Sequence, residues 1–232
     1  KVKIFGYHFA SLDIRQDSRI HSSAFNSIFK ISQQKLNKLF PENYLQLDEL
    51  KKIKIISKIK GDISPDLFDD NLAKSTLSSI RAMKEIQKEN GEKACNRYII
   101  SNNQSALNIL EVFTMFRLSD WDSPTVDIVP LFETVSDLKV ASVVMDLVYS
   151  NSIYKKHLEQ RKNQQTIMLG FSDGTKDGGY LMANWSILKA KEALTSISRK
   201  HGVKVIFFDG RGGPPARGGG NTHQFYSSMG TF

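Results

Sequence analysis

Cysteine is almost absent from this 232-residue chain, where Cys95 stands alone. No internal disulfide can form, and the usage fits a reducing compartment. Long apolar runs are also missing. None approaches the roughly 20 residues a membrane-spanning helix needs, and the first residues lack the pattern of a secretory signal. The five histidines, at 8, 21, 157, 201 and 223, show no metal-ligand spacing. His201 suits a helix end and His8 the interior of a strand. No serine nucleophile elbow, P-loop, internal repeat or long low-complexity segment is found. These absences set aside disulfide scaffolds, membrane-spanning helices, repeat solenoids and histidine-held metal centres.

What is present supports a sizeable core. Hydrophobic residues make up 40% of the chain and charged residues 24%, enough for one large domain or two small ones. The net charge of +8 favours anionic ligands or nucleic acid as partners. The positive charge is scattered, however. Its densest cluster, Lys51, Lys52, Lys54, Lys58 and Lys60, alternates with apolar residues and reads as a solvated face.

Five segments read as strands: residues 2–14, 97–101, 125–131, 166–171 and 203–208. Their short, continuous apolar runs suit strands buried on both faces. Amphipathic helix patterns separate them. One stripe holds Phe25, Ile28, Phe29, Leu36, Leu39 and Phe40 and ends near Pro41. A second holds Leu72, Thr76, Ile80, Met83 and Ile86 and ends at Gly91. Further stripes run through Leu107 to Phe116, Leu138 to Val148 and Leu181 to Ile197. The alternation predicts an α/β fold with a parallel sheet, as a barrel or a doubly wound sheet. The rhythm breaks after residue 43, and residues 43–90 read as a helical insertion between the first and second strands. Both ends read as cut, as in a piece of a longer protein.

Polar residues gather where the strands would end. Asp13, Arg15, Gln16 and Asp17 leave the first, and Ser101, Asn102 and Asn103 leave the second. Glu133 and Thr134 leave the third, Ser172, Asp173, Lys176 and Asp177 the fourth, and Asp209, Arg211 and Arg217 the fifth. In parallel α/β folds that edge is where ligands bind. The last loop reads Phe208-Asp209-Gly210-Arg211-Gly212-Gly213-Pro214-Pro215-Ala216-Arg217-Gly218-Gly219-Gly220. Its glycines let backbone N–H groups crowd close to a bound group. Its arginines offer a fork of donors matched to carboxylate and phosphate oxygens. Together they describe a clamp for a small, multiply charged anion. RG-rich stretches also serve nucleic-acid binding, but those rarely continue straight out of a buried strand.

Glu133 and Asp173 each lie just beyond a buried strand. Two carboxylates at one edge suit a hard divalent cation such as Mg²⁺, which takes oxygen ligands. The other reading gives Glu133 to the next helix's first turn and Asp173 to a turn. Arg15, Arg19, Arg211 and Arg217 can supply an anion site. Arg15 and Arg19 also stand where surface ion pairs with Asp13 and Asp17 would form. Lys176 is either held at the site by Asp173 and Asp177 or solvated.

Four segments resemble those of phosphoenolpyruvate carboxylases. Leu12-Asp13-Ile14-Arg15-Gln16-Asp17-Ser18 is similar to L-D-I-R-Q-E-S, and Pro130-Leu131-Phe132-Glu133-Thr134 to P-L-F-E-T. The run from Gly170 to Gly179 resembles G-Y-S-D-S-x-K-D-A-G, and that from Phe208 to Gly220 resembles F-H-G-R-G-G-x-x-x-R-G-G-G. They occur in family order and spacing across nearly the whole chain. The resemblance implies a fragment, residues 1–232, of a partial (β/α) TIM-like barrel of the phosphoenolpyruvate/pyruvate type with extra helices. It implies carboxylation of phosphoenolpyruvate by bicarbonate, giving oxaloacetate and phosphate with Mg²⁺ or Mn²⁺. Another Mg²⁺-dependent enolate enzyme of the same type is the alternative.

The same resemblance implies Glu133 and Asp173 as metal carboxylates. Arg15 would contact substrate phosphate or a carboxyphosphate intermediate, and Lys176 would lie near bicarbonate. Arg15, Gln16, Arg211, Gly212, Gly213 and Arg217 would form the substrate site, with Arg217 also serving an inhibitory dicarboxylate. A cytoplasmic homotetramer is implied for the full enzyme, with neither nucleic acid nor membrane as partner. Two departures stand out. Asp209 replaces the motif's histidine. The family's T-A-H-P-T segment, with its catalytic histidine, falls N-terminal to these residues, so this chain alone is expected to be inactive.

Overall fold

Short extended segments meet one another side by side in the computed structural model, which describes residues 10–35, 38–210 and 221–227. They form β1 (Asp13–Asp17), β2 (Arg97–Ser101), β3 (Asp127–Phe132), β4 (Gln164–Gly170) and β5 (Lys204–Gly210), hydrogen-bonded in that order. Every neighbouring pair is parallel. Because each strand lies beside its successor, every crossover steps the same way. A doubly wound sheet requires a reversal of order, and the described strands contain none. Crossovers of one hand carry their helices to one face of the sheet.

Those helices are α1 (Ser18–Lys35), α2 (Glu49–Ile56) and α3 (Asn71–Asn90) between β1 and β2, then α4 (Ala106–Arg117) before β3. Next come α5 (Val135–Ser150) and α6 (Ser152–Gln160), then α7 (Ser172–Lys200) before β5 and a short α8 (Thr222–Ser227). Local signals set their ends. Asp48 and Asp70 accept from backbone N–H groups in the first turns of α2 and α3, and Gly91, at φ 87°, stops α3. Capping boxes open α4, from Ser105 and Asn108, and α5, from Thr134 and Asp137.

Period-2 alternation divides the strands between two environments. Tyr98, Ile100, Ile128, Phe132, Ile167 and Leu169 join the main core with the helices. The intervening Ile99, Val129 and Leu131 form a separate small cluster with Met168. Following the same alternation along β5, Ile206 and Phe208 fall on that second face and remain 40% and 39% exposed. Around α1, Phe25, Phe29, Phe40 and Tyr44 pack as an aromatic group with ring centres 5.0 to 6.2 Å apart. Burying each such side chain contributes on the order of 2 kcal/mol.

The structure departs from the sequence reading in several places, and part of one expected strand lies outside the described residues. Arg15 and Gln16 lie within β1 rather than in a loop after it, because β2 supplies paired partners as far as Ser101. Of the first expected strand, residues 2–14, residues 2–9 are outside the described residues and 10–12 are not strand, β1 beginning at Asp13. The stripe assigned to α1 does not continue to Phe40, since the helix assignment ends at Lys35. Ser32 Oγ accepts from the Leu39 N–H and Gln33 donates to the Phe40 carbonyl, both at 2.8 Å, so the chain folds back over the helix. Finally, Asp173, Lys176 and Asp177 sit in the first turns of α7, not in a loop.

Candidate active site

Alternation and register bring the first two site residues together. Arg15 pairs in register with Ile99, and Ile99 with Val129. The side chains of Val129, Leu131 and Glu133 follow at every second position, so Arg15 and Glu133 share the face turned away from the helices. They meet there: Arg15 Nη2 donates to Glu133 Oε1 at 3.0 Å, across 118 residues of sequence. The other oxygen, Oε2, accepts from the Asn102 backbone N–H at 2.8 Å. Asn102 adopts φ 54°, a left-handed geometry that asparagine tolerates. Its carbonyl accepts from the Ser18 hydroxyl at 2.6 Å. One network thus ties the C-terminal ends of β1, β2 and β3. Within it the Glu133 carboxylate is sheltered, 16% exposed, while half of the Arg15 side chain is open to solvent.

The capping role the sequence offered to Glu133 belongs to its neighbours. Thr134 Oγ1 accepts from the Asp137 N–H at 3.1 Å, and Asp137 Oδ2 accepts from the Thr134 N–H at 3.0 Å. Asp137 is buried and also faces the Glu133 N–H at 3.4 Å. The Glu133 side chain is left to Arg15 and Asn102.

Glycine brings β4 up to this point. A Cβ on Gly170 would stand 3.1 Å from Glu133 Cα and 3.2 Å from its Cγ, and one on Gly174 would stand 3.2 Å from the Glu133 carbonyl oxygen. Asp173 lies between these two contacts. Its carboxylate is half-exposed and accepts from Lys176 Nζ at 3.1 Å. Asp177 does not share that lysine contact; its Oδ2 accepts from the Val135 N–H at 3.1 Å and ties α7 to α5. Among the described residues no group of three or more His, Cys, Asp or Glu side chains is placed to hold a metal ion. Glu133 and Asp173 each have a cation on one carboxylate oxygen, Arg15 and Lys176 respectively.

The remaining candidates are distributed differently. Gln16 alternates to the helix-facing side, and its Oε1 accepts from the Asp17 N–H at 3.0 Å. Asp17 is gripped by Arg19 through both carboxylate oxygens, and this hydrogen bonding holds its carboxyl below the usual range. Asp13 pairs with Arg97 rather than with Arg15. Arg211, Gly212, Gly213 and Arg217 lie outside the described residues. Sequence reasoning missed the Ser18 hydroxyl and the Asn102 backbone N–H. The Asn102-Asn103 pair after a strand was the available signal, since asparagine favours such turns.

A cavity of about 650 Å³ opens at the opposite edge, lined by residues including Asp127 and Gln164, which start β3 and β4. Three of its charges are paired with one another: Arg161 donates to Asp127 and to Glu92, both at 2.7 Å. The Arg15–Glu133 network, at the edge where parallel sheets present helix N-termini, is the stronger candidate.

Sheet order and polar edge define an α/β protein whose parallel strands gather polar and charged side chains at their C-terminal ends. The family model for phosphoenolpyruvate carboxylase matches residues 1–228. The chain is 34% identical to a phosphoenolpyruvate carboxylase of Gloeobacter violaceus over 233 residues, covering 97% of this chain and 24% of that protein. It is 36% identical to those of Nitrosomonas europaea and Nitrosomonas eutropha, covering 95% and 96% of this chain and 24% of each relative. The chain belongs to the phosphoenolpyruvate carboxylase family. It spans about a quarter of the length of the relatives it matches.

Proposed function

We propose that this chain is part of an enzyme that joins bicarbonate to phosphoenolpyruvate, giving oxaloacetate and inorganic phosphate. The observation that carries the reading is the Arg15–Glu133 contact at 3.0 Å on the C-terminal edge of the sheet. A half-exposed guanidinium beside a sheltered carboxylate suits a phosphorylated carboxylic acid. Arg15 neutralises charge on the phosphoryl group as it is transferred. Lys176, held by Asp173, supports the bicarbonate side. Gln16, Arg211 and Arg217, with Gly212 and Gly213, complete the substrate site by their places in the family motifs.

The donor set suits a hard divalent cation: two carboxylates, no sulfur, and a backbone that approaches through Gly170 and Gly174. Glu133 and Asp173 would hold Mg²⁺ or Mn²⁺, which stabilises enolate charge when bound. The sequential sheet with its partly exposed second face supports an arc of a (β/α) barrel, with residues 43–90 as a helical insertion. No helix among the described residues is long and apolar enough to cross a membrane. A cytoplasmic homotetramer with a dicarboxylate inhibitory site is the assembly proposed for the whole protein. The resemblance implies that the histidine of the T-A-H-P-T segment falls outside these 232 residues, so they are proposed to be inactive alone.

The deciding experiment measures oxaloacetate formation by the full-length protein from phosphoenolpyruvate, bicarbonate and Mg²⁺, beside a Glu133→Gln variant. We expect activity in the former and a loss of about a hundredfold or more in the latter. A well-folded full-length protein that makes no oxaloacetate, or that turns phosphoenolpyruvate into a different product, would overturn the reading.

A further inference from the structure

The penultimate residue of β5 departs from the family motif, and a residue outside that motif holds it. Where the F-H-G-R-G-G segment carries histidine, this chain carries Asp209. Asp209 pairs in register with Leu169, a member of the main core, so its side chain lies on the helix side of the sheet. Arg15 and Glu133 are on the other side. Lys191 of α7 meets Asp209 there, with Nζ 2.9 Å from Oδ1 and donating to Oδ2 at 3.1 Å. The pair is largely sheltered, the two side chains being 18% and 23% exposed. Lys191 also stands over the Phe207 ring, 5.6 Å from its centre. One ammonium group therefore grips two successive helix-facing residues of β5. On the opposite face Gly210 closes onto β4: a Cβ there would stand 2.9 Å from Met168 Cε and 3.1 Å from the Leu169 carbonyl. The strand end is held from both faces, and Arg211 follows it directly in sequence.

We infer that Lys191 is a positioning residue. Its charge pair with Asp209 fixes the end of β5 against α7. The inference rests on the carboxylase reading above. The physical argument is one of charge. A partly buried aspartate next to an anion-binding edge repels phosphoenolpyruvate unless a cation neutralises it, and an unpaired charge in such a place also displaces the strand that carries it. Lys191 acts through Asp209 and touches no reacting atom.

The test compares full-length wild type with Lys191→Met, Lys191→Arg and the double variant Lys191→Met/Asp209→Asn. Lys191→Met is expected to raise KM for phosphoenolpyruvate about tenfold while kcat stays within about threefold. Lys191→Arg keeps KM near wild type because the positive charge remains. The double variant recovers most of the KM loss, since the Asp209 charge is removed together with that of Lys191, and its melting temperature lies above that of Lys191→Met. A Lys191→Met protein with lowered melting temperature but wild-type KM would make the pair a brace only and overturn the proposal. So would a double variant no better than the single one. Absence of oxaloacetate in the wild type defeats the carboxylase reading and this role with it, whereas failure of the positioning role alone appears only in the variants.

Discussion

Gly170 is required by its neighbour rather than by its own backbone. The strand passes so close to Glu133 that an added methyl group would press on that residue's Cα and Cγ. Gly170→Ala should therefore act on Glu133 before it acts on the fold. We expect a stability loss of about 1–3 kcal/mol in urea unfolding, as for an overpacked site. Catalytic turnover in the full-length protein should fall by more than that strain alone explains. Activity unchanged alongside such a loss would show that Glu133 tolerates the shift. The sequence marked Arg15, Glu133 and Asp173 through their positions after apolar runs. It could not show that Glu133 is engaged by Arg15 and Asn102 while Thr134 and Asp137 take the capping role. That division depends on which side chains alternate to which face, and hence on register between strands far apart in sequence.

At the scale of elements, α7 is where local propensity and tertiary structure disagree most. Gly174, Gly178 and Gly179 weaken a helix, and the sequence reads them as a loop. The chain nevertheless makes a first helical stretch from Ser172, breaks at Gly179 with φ 77° and ψ 166°, and resumes as far as Lys200. Close packing explains the first two glycines: a Cβ on Gly178 would stand 3.0 Å from Val135 Cγ2, and one on Gly174 would crowd the Glu133 carbonyl. The third sits in a backbone region open essentially only to glycine. Gly179→Ala is expected to cost about 1–3 kcal/mol, read as a lower urea midpoint with unchanged slope. It should also reduce full-length activity by moving Asp173 and Lys176 relative to Glu133. Where patterning was strong the sequence sufficed, as in α4 and α5, whose apolar stripes and capping boxes agree.

At the scale of the molecule, three buried titratable groups among the described residues set the pH dependence of stability between pH 4.5 and about 7. Burial pushes the Glu111 carboxyl up to about 7, against a Ser22 hydroxyl that donates to it at 2.9 Å and the nearby Lys52, which favour its charged form; the charge of Glu49 adds to the rise. Burial lowers His21 to about 4, beside the Tyr98 hydroxyl at 2.9 Å, and lowers His157 to about 3. The unfolded values are 4.5 for glutamate and 6.5 for histidine. Between those two values the unfolded chain holds two histidine protons that the native protein lacks, while the native protein holds one glutamate proton that the unfolded chain lacks. Stability therefore rises with pH through that window. Above it, of the three, only Glu111 still acts, and stability falls until pH reaches its folded value of about 7. We expect a maximum near pH 6.5 in urea unfolding. Glu111→Gln should remove the alkaline decline, leaving the variant more stable than wild type at high pH by about 2–3 kcal/mol. An alkaline limb unchanged in the variant would refute the assignment to Glu111.

The alternation of apolar runs with helical stripes, read along the chain, was enough to specify a parallel α/β sheet, because burial on two faces and on one face leave different periods in the sequence. The same reading located the polar strand ends and the motifs of the family. Tertiary structure decided the rest. The polar β1 becomes a strand only because β2 offers it hydrogen-bonding partners, and Asp209 faces Lys191 rather than Arg15 because pairing with β4 fixes which way each side chain of β5 turns. Contacts between residues more than a hundred positions apart, such as Arg15 and Glu133, follow from register, and register is a property of paired strands rather than of either strand alone.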